Sequence, residues 1–237
     1  MEDIKNVYST FWEDLKVLIK AFPVLLLAAL AYAVAQKLLT PVMAVTGVLA
    51  GGFLAWLLEM TIRTHLATIM TTLFARETLR PNDLLQFDGT FFPPLTQAYF
   101  LLFVVELFAS RVLSPLLPAH LLLLLGLVWK VFTAPLFEVV YLAHEPSARV
   151  FSAMLEFWRD NWQPLFLYSV VCAGLTLLFY PAMFSMAGFT FYGIGAVVLQ
   201  AVLYSSYALT KGILFRILYF STPRSRAFHH QFDRKRS

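Results

Sequence analysis

Six ionisable side chains stand inside or beside long apolar stretches of this sequence: Glu59, Arg63, His65, Glu106, Lys130 and Glu138. Holding a charged group at the centre of a bilayer costs about 2.5–3.5 kcal/mol or more, so each needs a partner or a task. Glu106 lies seven residues before the end of its apolar run, and Lys130 sits near the middle of the next one. That separates them in depth by about 7 to 8 Å at 1.5 Å per residue, a gap that a lysine stem spans. Consecutive antiparallel helices are usually neighbours, so a Glu106–Lys130 pair is expected. It acts either as a lock on helix register or as part of a proton or ion pathway. Glu138, eight residues after Lys130, is expected to join Glu59 in a second polar layer.

Glu59 and Arg63 are spaced i,i+4 and can pair along one helix. That helix is expected to run on from Thr61 to Glu77, with Ile62, Leu66, Ile69, Met70 and Leu73 on one face and Thr61, Thr64, His65, Thr68, Thr71 and Thr72 on the other. Threonines so placed line a hydrated vestibule or a lipid headgroup, or they hydrogen-bond back to their own helix. An intramembrane enzyme acting on lipids would draw on Glu59 and His65. No catalytic residue is assigned, however, because no His-Glu-x-x-His, Walker or nucleophile-elbow pattern occurs. The histidines are scattered and the single cysteine, Cys172, lies in an apolar run. No metal site and no cofactor is therefore expected.

These residues need a scaffold, and composition defines it. Of the 237 residues, 59% are hydrophobic and 14% charged, against about 25% charged in soluble domains; mean hydropathy is +0.71. Apolar runs of about 20 residues match a hydrocarbon core of about 30 Å. The expected fold is an all-α polytopic membrane protein with six transmembrane helices, near 22–39, 41–61, 95–113, 119–142, 164–183 and 189–209, the last apolar run extending to 220. With both termini inside, fifteen Lys and Arg fall on the cytoplasmic side and two, Lys37 and Arg111, on the outer side. This bias sets the orientation. The stretch 22–35 resembles a signal-peptide core ending in Ala33-Val34-Ala35, but Glu2, Asp3, Glu13 and Asp14 precede it where a basic region belongs. It is taken as the first span.

Ahead of that span, Ile4, Val7, Tyr8, Phe11, Trp12, Leu15, Leu18 and Ile19 recur at helical spacing. Residues 1–21 are thus expected to form an amphipathic helix in the cytoplasmic interface. Val150, Phe151, Met154, Leu155, Trp158 and Trp162 form a similar segment before the fifth span, and Leu84, Leu85, Phe87, Phe91 and Phe92 mark the loop before the third. Within the membrane domain, 22–220, the chain divides into three candidate units, 1–75, 76–145 and 146–220, each an interfacial segment followed by a hairpin. Gly47 and Gly51 form a GxxxG that allows close helix approach. The basic tail, 221–237, offers Arg224, Arg226, Arg234, Lys235 and Arg236 to anionic lipid headgroups. Nucleic acid is not an expected partner, because the topology alone calls for these charges.

The segment Ala75-Arg76-Glu77-Thr78-Leu79-Arg80-Pro81-Asn82-Asp83-Leu84-Leu85, with Glu145-Pro146-Ser147-Ala148-Arg149 through Phe157-Trp158-Arg159-Asp160-Asn161-Trp162, resembles the layout of YciC-like bacterial inner-membrane proteins. It also resembles the membrane domain fused to some glycerophosphodiester phosphodiesterases. The resemblance implies a bacterial inner-membrane location and brings no functional residues with it. The function expected is that of a non-catalytic membrane subunit or accessory factor of a larger complex, such as a transport system, with lipids and other membrane subunits or further copies of itself as partners. The alternative is a self-contained transporter or channel using Glu106, Lys130 and Glu138.

Overall fold

The computed structural model describes residues 2–45, 47–113, 115–144, 149–185 and 191–221, without the side-chain surroundings of 2, 3, 39–50, 110, 119, 123, 172–193 and 196. Among the described residues there are eight α-helices and no strand: α1 (Glu2–Leu18), α2 (Phe22–Val45), α3 (Gly47–Arg76), α4 (Phe92–Leu113), α5 (Ala119–Thr133), α6 (Leu136–Ala143), α7 (Val150–Ser185) and α8 (Phe191–Phe220). Four stretches are long and apolar enough to cross a bilayer: Ile4–Leu38, Gly89–Leu113, His120–Ala143 and Val197–Phe220. That is the make-up of an integral membrane protein. The predicted spans at 41–61 and 164–183 lie partly outside the described side chains.

Local chemistry explains the helix limits. Pro23, and Pro93 with Pro94, fall in the first turns of α2 and α4, where an amide N–H has no helical partner to lose. Glu77 ends α3 in the left-handed region (φ 56°), its N–H bonding back to the Leu73 carbonyl at 2.7 Å, and Pro81 follows. The stretch expected as one fourth span is broken into α5 and α6. Pro135 has no N–H to offer the Val131 carbonyl, which accepts from Ala134 N at 3.3 Å instead. The Phe132 carbonyl accepts from Trp158 Nε1 of α7 at 2.7 Å.

Two further breaks separate surface segments from long apolar helices. A 3-10 turn, Ile19–Ala21, divides α1 from α2. Asn161 leaves helical geometry (φ −130°, ψ 22°) inside α7, its side-chain amide donating to the Phe157 carbonyl at 3.2 Å. The apolar face of α1 is itself split. Val7, Phe11 and Leu18 are buried against the bundle, whereas Trp12 is 59% exposed.

α2 packs most extensively on α8 and α3, and α1 lies across α8. Buried side chains of α3, α6 and α8 meet in the core, among them Ile69, Met70, Leu73, Leu136, Val140, Tyr141, Ile213 and Phe215. Gly212 makes that meeting possible. A Cβ there would press on Met70 Cε and come within 2.9 Å of Phe74 Cζ and 3.1 Å of the Tyr141 hydroxyl. Between α3 and α4 the chain is pinned by Asp88, whose N–H donates to Thr68 Oγ1 at 3.0 Å and whose Oδ1 accepts from Thr90 N at 2.9 Å and Thr90 Oγ1 at 2.6 Å. The two Thr90 bonds hold the Asp88 carboxyl below the usual carboxylate range.

Two outcomes are expected. Gly212→Ala overpacks the α3–α6–α8 crossing and costs about 1–3 kcal/mol, seen as a lower thermal midpoint in detergent. Because its folded pKa is depressed, Asp88 contributes its full stabilisation at neutral pH and loses it as pH falls through that lowered pKa. The midpoint difference between the wild-type chain and Asp88→Asn is therefore constant near neutrality and shrinks below about pH 4.

Candidate functional site

Arg63 organises a polar group on α3. It lies on α3 about 20 Å along the helix axis from Arg76. Its Nε donates to Glu59 Oε1 at 3.0 Å, with Nη2 on the same oxygen. Nη1 donates to the Tyr99 hydroxyl of α4 at 2.8 Å, and the guanidinium carbon lies 4.2 Å from the centroid of the Tyr99 ring. The i,i+4 pair expected from the sequence is therefore present, with a tyrosine that the sequence did not single out. Arg63 and Glu59 also line an open cleft of about 120 Å³ between α2, α3 and α8, together with Tyr32, Gln36, Gln200 and Tyr204. A neutral ion pair ringed by amides and phenols can hydrogen-bond a polar solute without taking on net charge.

His65 is drawn elsewhere. Its Nδ1 meets the Tyr32 hydroxyl at 2.7 Å, and the two rings stand edge to face at 5.7 Å. Glu59 and His65 thus have different partners and do not face one shared centre. The threonines of α3 turn inward to their own backbone: Thr61, Thr64, Thr68, Thr71 and Thr72 each donate to the carbonyl four residues before, at 2.8 to 3.1 Å. The vestibule reading of that stripe gives way to helix self-bonding.

Glu138 does not join Glu59. Its Oε2 lies 2.7 Å from Lys211 Nζ of α8, and both side chains are more than nine-tenths buried. The Lys211 ammonium is flanked by the rings of Tyr207 and Phe215, 5.3 and 5.5 Å away and one turn to either side. Sequence reasoning had counted Lys211 among the flanking cytoplasmic charges. The apolar run continuing past it to Phe220, and the aromatic residues four positions before and after it, were the signals that it lies inside.

The expected Glu106–Lys130 pair is not formed. Glu106 Oε1 accepts from Trp129 Nε1 at 2.8 Å, and both Glu106 and Lys130 are exposed on the outer surface of α4 and α5. The reason is angular. Neighbours on a helix point about 100° apart, so when Trp129 turns to α4, Lys130 turns away from it. Gly47 opens α3, where its surroundings fall outside the described side chains, and Gly51 is buried. Arg224, Arg226, Arg234, Lys235 and Arg236 lie outside the described residues. Among the described residues no three His, Cys, Asp or Glu side chains converge as a metal site would require.

Comparison with protein-family models, with curated proteins and with solved structures finds no match for this chain. What the site can do therefore rests on its own geometry.

Removing one member of the buried pair strands the other charge. Lys211→Met or Glu138→Leu alone is expected to cost about 3–5 kcal/mol, whereas the double substitution costs much less or stabilises. Thermal unfolding of the four proteins in detergent, read as a double-mutant cycle, tests this coupling.

Proposed function

We propose that this protein is a non-catalytic integral membrane subunit that works inside a larger membrane assembly. The supporting observation is the distribution of charge. Glu138 is matched by Lys211 in the interior, and Glu59 by Arg63 at the half-exposed cleft. Glu106 and Lys130 are each exposed instead, among exposed apolar side chains of α4 and α5. Charge that faces outward from membrane helices is costly unless another chain covers it. In this reading six helices span the bacterial inner membrane with both termini cytoplasmic. The fifteen-to-two bias of basic residues and the pattern shared with YciC-like proteins support that orientation and location. Anionic lipids hold the basic tail.

The cleft favours a second reading, a transporter for a small polar solute. Its path would run by Glu59 and Arg63 instead of Glu106, Lys130 and Glu138, because the first two of those face outward and the third is sealed by Lys211. The lipid-enzyme reading loses its support, since Glu59 and His65 have separate partners.

The two readings separate by experiment. Native mass spectrometry of the protein released gently from its own membrane is expected to show other subunits in fixed ratio. A chain that emerges only by itself, in one copy or several, overturns the subunit reading. Liposome flux abolished by Arg63→Gln would then establish the transporter.

A further inference from the structure

Another cavity, of about 520 Å³, opens where α1, α3, α6 and α8 come together at one end of the bundle. Its size falls within the roughly 300–1,000 Å³ typical of small-ligand sites. Two of the bilayer-crossing stretches, those ending at Ala143 and Phe220, stop beside it. The cavity therefore sits at the level where apolar helix gives way to lipid headgroups and water. Its wall carries opposite charges that are not spent on each other. Arg216 of α8 lies with its guanidinium carbon 5.4 Å from the Phe74 ring centroid, and its ion pair with Glu77 Oε1 is stretched to 3.8 Å. Asp14 of α1, half-buried, feels the charge of Arg216 without bonding to it. His144 ends α6 in the left-handed region (φ 51°), its ring centroid 5.5 Å from that of Phe91. Among the described residues the side chains of Asp14, His144 and Arg216 make no hydrogen bond. Tyr141, 1% exposed, forms part of the wall, and its buried hydroxyl has no hydrogen-bond partner among the described residues either. Polar groups at such depth are ordinarily partnered, so this cavity gathers unspent hydrogen-bonding capacity of both signs.

We propose that this cavity binds a phospholipid headgroup built of a phosphate ester and a primary ammonium, the phosphoethanolamine group. Arg216 and His144 donate to the phosphate oxygens, for which a guanidinium fork is well shaped. Asp14 accepts from the ammonium. A headgroup with negative charge alone would bring that charge against Asp14 and Glu77. A quaternary ammonium has no N–H to give Asp14, and the Phe74 ring that could hold it instead already faces Arg216. Phe220, on the rim and 72% exposed, offers the acyl chains an apolar surface to follow away from the site. The inference goes beyond both readings of function, since it requires only that the chain lie in a bilayer.

The test is competition among phosphatidylethanolamine, phosphatidylcholine and phosphatidylglycerol of matched acyl chains for the full-length chain in detergent, read by native mass spectrometry. The wild type is expected to retain phosphatidylethanolamine about tenfold over either rival. Asp14→Asn is expected to erase the preference over phosphatidylcholine, and Arg216→Gln to weaken retention of all three. Size-exclusion profiles matching the wild type show that each variant folds. Should a variant misfold, stepwise N-methylation of the lipid amine takes its place, and retention by the wild type is expected to fall with each N–H removed. Equal retention of the three lipids by the wild type overturns the proposal, as does a preference that survives both substitutions or a flat response to methylation. A thermal midpoint raised by soluble phosphoethanolamine, with no lipid retained, upholds the chemistry of the site and overturns the membrane as the source of its ligand.

Discussion

A lysine held inside an apolar helix bundle has to be matched, and the position of α8 follows from that requirement. Lys211 reaches Glu138 at 2.7 Å, which fixes both the height and the rotation of α8 against α6. Gly212, the next residue, lets the same stretch of α8 approach Met70 and Phe74 of α3. The pair adds little stability over an apolar substitute. Its effect is selective, because any other rotation of α8 would leave two charges without water or partner.

A second constraint governs the backbone. Carbonyls released at a helix break inside an apolar bundle must find donors within the protein. The break at Pro135 is tolerated because Trp158 supplies an indole N–H to the Phe132 carbonyl, and that bond also fixes where the first part of α7 lies. Asn161 then lets α7 change direction while its own amide caps the Phe157 carbonyl. Proline, tryptophan and asparagine thus act as one device that turns the chain twice.

Much of this could be read from the sequence. Runs of apolar residues gave the long helices, the i,i+4 spacing gave Glu59 with Arg63, and the threonine stripe of α3 bonds to its own backbone, one of the two outcomes weighed for it. What could not be read was which helices face each other. Position along an apolar run fixes depth but not rotation, and depth was the only basis for pairing Glu106 with Lys130. Trp129, adjacent to Lys130, occupies the direction toward α4 instead. Lys211 was assigned to the cytoplasm because it follows the expected end of the sixth span at 209, where a lysine ordinarily marks the water boundary. Tyr99, the hydroxyl on Arg63, belongs to a helix whose neighbour is set by tertiary packing alone.

The order of the chain gives the Glu138–Lys211 pair a consequence for biogenesis. Synthesis delivers α6 well before α8, so Glu138 enters the membrane when its partner has not yet been made. Until α8 arrives, the carboxylate must take up a proton or remain beside the insertion machinery. The final helix therefore completes the fold by neutralising an earlier one. A chain that ends before Lys211 leaves the Glu138 carboxylate without its partner.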